Sequence, residues 1–230
     1  MKSEKISIPV EDNAEVAGIL SVPSGYQAGA GTGVIIAHGA GNDMNHPLLV
    51  HLSQGLTTAG YLTLRFNFLY REKGKKAPDR QDVLVKTWQS VHRYLRDQRE
   101  YSPRTIVAAG KSMGGRVAAQ MTAEGLLPVA GLVFLGYPLH PPGKKEKLKD
   151  EHFQNITVPL LFFAGTRDSL CDLGILKEVI GRLPAPCELE IIEGGDHSFR
   201  VPKSMATSEE EVHQRLLVKT LEWIESESLR

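Results

Sequence analysis

This chain has no excess of positive or of negative charge. Its 230 residues carry 27 Lys and Arg against 27 Asp and Glu, a formal net charge of zero, which removes the usual electrostatic footprint of a nucleic-acid binder. Cysteine is scarce. Cys171 and Cys187 form neither a C-x-x-C pair nor a disulfide framework. No apolar run approaches the roughly 18 residues of a membrane span. Met1-Lys2-Ser3-Glu4-Lys5 leads into a short alternating segment, not into the apolar core of a signal peptide. Internal repeats, low-complexity tracts and Pro/Gly/Ser-rich linkers are also lacking. The expectations are a cytoplasmic location, with no membrane and no nucleic-acid partner. At about 150 residues per domain, the length predicts one medium domain over residues 1–230. Apolar residues at 41% and charged residues at 23% are those of a globular chain.

What is present is an alternation of short apolar runs with longer amphipathic ones. Strands are predicted at Ile6–Val10, Val16–Val22, Gly33–Ala37, Leu62–Phe66, Thr105–Ala109, Val129–Leu135, Leu160–Ala164 and Glu188–Ile192. From the third onward they read as continuous apolar cores, the pattern of strands covered on both faces in a parallel sheet. The first two pair more loosely and suit an antiparallel edge. Helices are predicted at Pro47–Ala59, Arg80–Gln98, Gly114–Glu124, Leu173–Arg182 and Ser208–Ser226. In the last, Val212, Leu216, Leu217, Leu221 and Ile224 fall near helical spacing, and Glu209-Glu210-Glu211 occupy the first turn. The fold class is therefore α/β: a mostly parallel eight-stranded sheet with helices on both faces. Its site is expected at the carboxyl ends of the strands.

The loops at those ends carry the chemistry. After the Thr105 strand comes Gly110-Lys111-Ser112-Met113-Gly114-Gly115, a G-x-S-x-G turn between a strand and a helix. Such a turn lifts the serine hydroxyl out of the sheet, and glycines are needed where backbone comes too close for a side chain. Ser112 is the candidate nucleophile. It needs a base, and the base needs an orienting acid, both later in the chain. Gly165-Thr166-Arg167-Asp168 follows the Leu160 strand, and Gly194-Gly195-Asp196-His197 follows the Glu188 strand. The assignment is His197 as base and then acid, with Asp168 orienting it. Asp172, at the start of the next helix, and Asp196 are the competitors for the acid; Asp196 is expected to bond locally.

The oxyanion donors are expected from the Met113 N–H and from Ala40, in the loop His38-Gly39-Ala40-Gly41-Asn42-Asp43-Met44-Asn45-His46-Pro47. Asn45 is the expected cap of the helix that follows. His38, His46 and His51 show no metal-ligand spacing, so no metal and no organic cofactor are expected. Gly110-Lys111-Ser112 is not a P-loop, because Thr105 stands where its first glycine is required. Gly29–Gly33 precedes a strand and reads as a turn, not a dinucleotide loop.

Elbow, acid and histidine in this order resemble the α/β-hydrolase superfamily, in its small, dienelactone-hydrolase-like branch. Three segments carry a closer likeness: His38–Asn45, Tyr137-Pro138-Leu139-His140-Pro141-Pro142-Gly143, and Gly165–Asp168. They are similar to the family of the testis-expressed hydrolase-like protein and the hydrolase-like subunit of the NSL histone acetyltransferase complex. The resemblance implies an α/β-hydrolase fold and a triad at Ser112, Asp168 and His197, without naming a substrate. Some members of that family are non-catalytic scaffolds, so two readings stand. One is a serine hydrolase of small esters or thioesters; the other is an interaction module on the same fold.

The connection from Gly136 to Val158 is too short for a large helical lid, so an open site and small-molecule ester substrates are expected. His38, Asn67, Phe68, Lys111, Leu139 and His140 are the candidate substrate-binding residues, with ordinary packing the other reading of Phe68 and Leu139, a structural histidine that of His38 and a solvent-facing side chain that of Lys111; Arg116 is read as an anchor of its helix to neighbouring loops. The loops Arg71–Lys76 and Pro141–Lys149 are basic within a neutral chain. Attraction of anionic substrates is one reading of them, and two solvated loops is the other.

Overall fold

A computed structural model describes residues 1–10 and 14–226. Among these residues eight strands form one sheet: β1 Lys2–Val10, β2 Ala14–Val22, β3 Thr32–Ala37, β4 Leu62–Phe66, β5 Thr105–Lys111, β6 Gly131–Leu135, β7 Leu160–Gly165 and β8 Cys187–Ile192. Their order across the sheet is β1-β2-β4-β3-β5-β6-β7-β8. The pairs β1/β2 and β2/β4 are antiparallel, and the rest are parallel. The antiparallel edge and parallel centre expected from the apolar patterning are both present. The helices are α1 Pro47–Thr58, α2 Leu69–Glu72, α3 Gln81–Arg96, α4 Met113–Ala123, α5 Leu173–Ile180 and α6 Glu209–Glu225.

Alternation along each strand divides the core between two layers. In β3, Val34 and Ile36 face the layer built by α1 and α6, where Leu48, Leu52, Leu56, Leu216 and Trp223 pack. Ile35 and Ala37 face the opposite layer, with Trp88 and Val91 of α3, Val117 of α4 and Leu176 of α5. All the strand residues named are fully buried, which is why β3 is apolar on both sides beyond its first residue, Thr32. At its start, α6 has a capping box: Ser208 accepts from Glu211 N, and the Glu211 side chain accepts from Ser208 N.

Three local expectations need correction. β1 begins four residues early, at Lys2, because the antiparallel ladder with β2 runs to Lys2↔Val22 regardless of the polar side chains. Asn45 does not cap α1. His46 is the N-cap residue and makes no side-chain cap bond, and Pro47 opens the helix; Asp43 instead turns the loop by accepting from Asn45 N at 2.8 Å. The short α2 and a 3₁₀ turn at Glu151–Asn155 are too brief to show a period. That turn lies in the connection between β6 and β7. It folds onto the body, with Phe153 and Ile156 fully buried.

Candidate active site

Every group of interest sits just past a strand's carboxyl end. Ser112 joins β5 to α4 with φ +49° and ψ −113°, a left-handed conformation that a non-glycine residue adopts only under constraint. The flanking glycines show what imposes it. A Cβ on Gly110 would lie 2.2 Å from Gly115 N, and one on Gly114 would lie 2.7 Å from the His38 carbonyl oxygen. The turn is sharp because α4 packs directly on β5 and on the loop after β3.

In this conformation the Ser112 hydroxyl donates to His197 Nε2 at 2.8 Å. His197 Nδ1–H in turn donates to Asp168 Oδ2 at 2.7 Å. The Asp168 side chain is wholly shielded from solvent, and its Oδ1 accepts from Leu170 N at 2.8 Å. The other two carboxylates are committed elsewhere. Asp196 accepts from Ser198 N and Arg200 N within its own loop; Asp172 caps α5 and pairs with Lys145. The loops after β7 and β8 are tied together by Gly194 N donating to Thr166 Oγ1 at 2.8 Å, which holds Asp168 and His197 at a fixed separation.

Met113 opens α4, so its N–H has no acceptor within the helix. With Ala40 and Ser112 it lines one cavity of about 470 Å³. His140, Arg116, Leu84, Pro141 and Leu170 also line it.

Of the six candidate substrate-binding residues, His140 alone lines this cavity; the other five have structural places. His38 is fully buried. Its Nδ1–H donates to the Gly39 carbonyl at 2.8 Å, and its Nε2 accepts from Phe68 N at 3.1 Å. Burial holds its pKa down at about 4, so it is the neutral imidazole that braces the loop. Asn67 Oδ1 accepts from Met44 N at 2.9 Å, and Phe68 packs edge-on against Phe66. Asn67 and Phe68 thus support the Ala40 loop from β4's end, through Met44 and His38. Leu139 is core. Lys111 does not reach solvent: it is buried, and its Nζ donates to the His197 carbonyl at 2.5 Å. Strand-end position alone does not say which side chains face the cavity. Arg116, one turn beyond Ser112 on the same face of α4, was accessible from helical spacing.

The basic loops contribute little to the cavity. Arg71 pairs with Asp43 and Lys145 with Asp172. Of the basic residues in the two loops only Lys149 lines the cavity, where Asp79 is also found. Among the described residues, no group of three His, Cys, Asp or Glu side chains is placed to hold a metal, and no helix is long and apolar enough to cross a membrane.

Residues 30–225 match the family described as the alpha/beta hydrolase domain. The chain belongs to that family. As an alpha/beta hydrolase it is similar in fold to a dienelactone hydrolase from Anabaena variabilis (TM-score 0.74, 20% identity, 97% of this chain and 96% of that one). It is similar also to Est1E of Butyrivibrio proteoclasticus with ferulic acid bound (TM-score 0.77, 17% identity, 96% of this chain and 100% of that one). A Mycobacterium tuberculosis protein named as a putative phosphoribosyl transferase is 24% identical over 207 residues, covering 89% of this chain but 44% of the relative. The chain thus spans less than half the length of that curated relative.

Proposed function

We propose that the protein is a serine hydrolase of small or accessible carboxylic esters or thioesters, working through Ser112, His197 and Asp168. One observation carries the reading: a strained serine at a strand–helix turn, hydrogen-bonded at 2.8 Å to an imidazole that is itself held at 2.7 Å by a shielded carboxylate. A hydroxyl alone is a weak nucleophile, and this relay is the arrangement that activates one. The fold likeness to a dienelactone hydrolase and to Est1E supports the same class. Within the superfamily, the likeness of the His38–Asn45, Tyr137–Gly143 and Gly165–Asp168 segments supports, on our reading, a kinship with the family of the testis-expressed hydrolase-like protein and the NSL subunit.

In this mechanism Ser112 Oγ attacks the carbonyl carbon as its proton passes to His197 Nε2. Asp168 stabilises the imidazolium that forms. The Met113 and Ala40 N–H groups receive the oxyanion. Collapse breaks the bond to the leaving group, which takes the proton from His197 and departs as alcohol or thiol. Water, deprotonated by His197, then attacks the acyl-Ser112 carbonyl; the acid is released and the proton returns to Ser112. The interaction-module reading gains no support from the surface. The large hydrophobic residues exposed among those described are Met1, Leu126 and Val218, which lie far apart in the sequence and outside the cavity lining.

The test is hydrolysis of p-nitrophenyl acetate and of a matched thioester by the purified chain and by Ser112→Ala. Turnover by the parent and loss of it in the variant is the expected result. Equal rates in both would place any activity elsewhere.

A further inference from the structure

We propose that Lys111 is a positioning residue for the reaction, clamping the main chain of His197 to the strand end that carries Ser112. The proposal rests on the serine-hydrolase reading above. Lys111 is the last residue of β5 and the immediate neighbour of Ser112. Its side chain crosses the carboxyl ends of the sheet, and Nζ donates to the His197 carbonyl at 2.5 Å. The hydroxyl and the imidazole come from loops 85 residues apart in sequence. The lysine connects them by a second route, one residue from the nucleophile. The Asp168 carboxylate fixes the far side of the ring; Lys111 fixes the backbone from which the ring hangs.

The surroundings are built around this contact. A Cβ on Gly136, the residue after β6, would lie 3.0 Å from the His197 carbonyl oxygen and 3.4 Å from Lys111 Nζ. The lack of a side chain there leaves the clamp its room. The Phe199 ring covers the ammonium, with its centroid 5.7 Å from Nζ. Asp168 from the loop after β7 and Asp196 from the His197 loop attract the charge, and His46 at the start of α1 faces it as well. Burial nonetheless pushes the amine down to about 8. Folding therefore holds a cation where a cation is disfavoured. An apolar side chain would fill the same space without that cost, but could not donate to the His197 carbonyl. A residue kept at a cost to stability for the sake of the site shows a particular signature on mutation: activity falls while stability does not.

The experiment uses the full chain with Lys111→Met, which removes donor and charge, and Lys111→Gln, which keeps a donor. Fluorophosphonate labelling of the parent comes first. A parent that does not label overturns the serine-hydrolase reading itself, and this proposal with it. With a labelling parent, kcat and KM on p-nitrophenyl acetate and the melting temperature at pH 7 are measured for all three. Misplacement of a catalytic group by an ångström is worth one to two orders of magnitude, so kcat is expected to fall about ten-fold or more in Lys111→Met. KM is expected to hold, the melting temperature not to fall, and Lys111→Gln to recover most of the loss. An unchanged kcat in Lys111→Met overturns the proposal. So does a Lys111→Met chain that fails to fold, or one whose kcat and melting temperature fall together without recovery in Lys111→Gln, since the lysine is then a packing brace.

Discussion

Ser112 is held at φ +49°, a conformation that costs on the order of 1–3 kcal/mol and persists only where neighbours over-determine it. Those neighbours are the close-packed glycines of α4, and what they deliver is a hydroxyl aimed at His197 Nε2. The same hydrogen-bond chain predicts the effect of Asp168→Asn. The amide turns the imidazole to the wrong tautomer, so kcat on p-nitrophenyl acetate should fall by about four orders of magnitude with little change in KM. A fall below ten-fold would remove Asp168 from the relay. His38 makes a separate prediction about stability. Burial holds its pKa at about 4, whereas an unfolded histidine titrates near 6.5. Between those values the unfolded chain binds a proton that the folded chain refuses. The contribution is therefore complete above about pH 6.5 and is lost as pH falls through about 4, on the order of 3 kcal/mol. His152, also held at about 4 by burial, acts in the same direction. Urea unfolding at pH 7 and pH 4.5 checks this; equal free energies at the two values would contradict it.

At the scale of elements, the central strands were legible because each is a short run of apolar residues buried on both faces, and the ends of the long helices fell within two residues of expectation. The G-x-S-x-G turn and the Asp168 and His197 loops were legible for the same reason, since strand ends locate the site. What escaped was what no period encodes. α2 is four residues long. For Phe68 and Leu139 the sequence left pocket and packing both open, and both lie in the core, because the direction of a side chain beyond a strand depends on tertiary packing. Two substitutions separate elements that build the site from one that only closes the fold. A methyl group on Gly114 would meet the His38 carbonyl at 2.7 Å and Ala37 Cβ at 2.8 Å, prising α4 from the Ala40 loop. Gly114→Ala should abolish labelling of Ser112, and full labelling would contradict the packing argument. Ser208→Ala removes the α6 capping box and should cost about 1 kcal/mol of stability with kcat unchanged. A lower kcat there would tie α6 to the site in a way its position does not suggest.

Across the whole molecule, the α/β sheet gathers the loops after β3, β5, β7 and β8 at one end, and the β6–β7 connection supplies Pro138, His140, Pro141, Pro142 and Lys149 to the cavity wall. The cavity at Ser112 is open and about 470 Å³. Short acyl chains should therefore be favoured: kcat/KM for p-nitrophenyl butyrate should exceed that for the palmitate, and the reverse order would contradict a site of this size. Charge plays a small part on this account, because Arg71 and Lys145 are paired and Asp79 shares the cavity with Arg116 and Lys149. The central claim is that Ser112 is an activated and accessible nucleophile. The most direct measurement is intact-mass analysis after exposure to a fluorophosphonate probe, for the parent chain and for Ser112→Ala. The account predicts one adduct on the parent and none on the variant. A folded parent that takes no adduct, or a variant that still takes one, would contradict it.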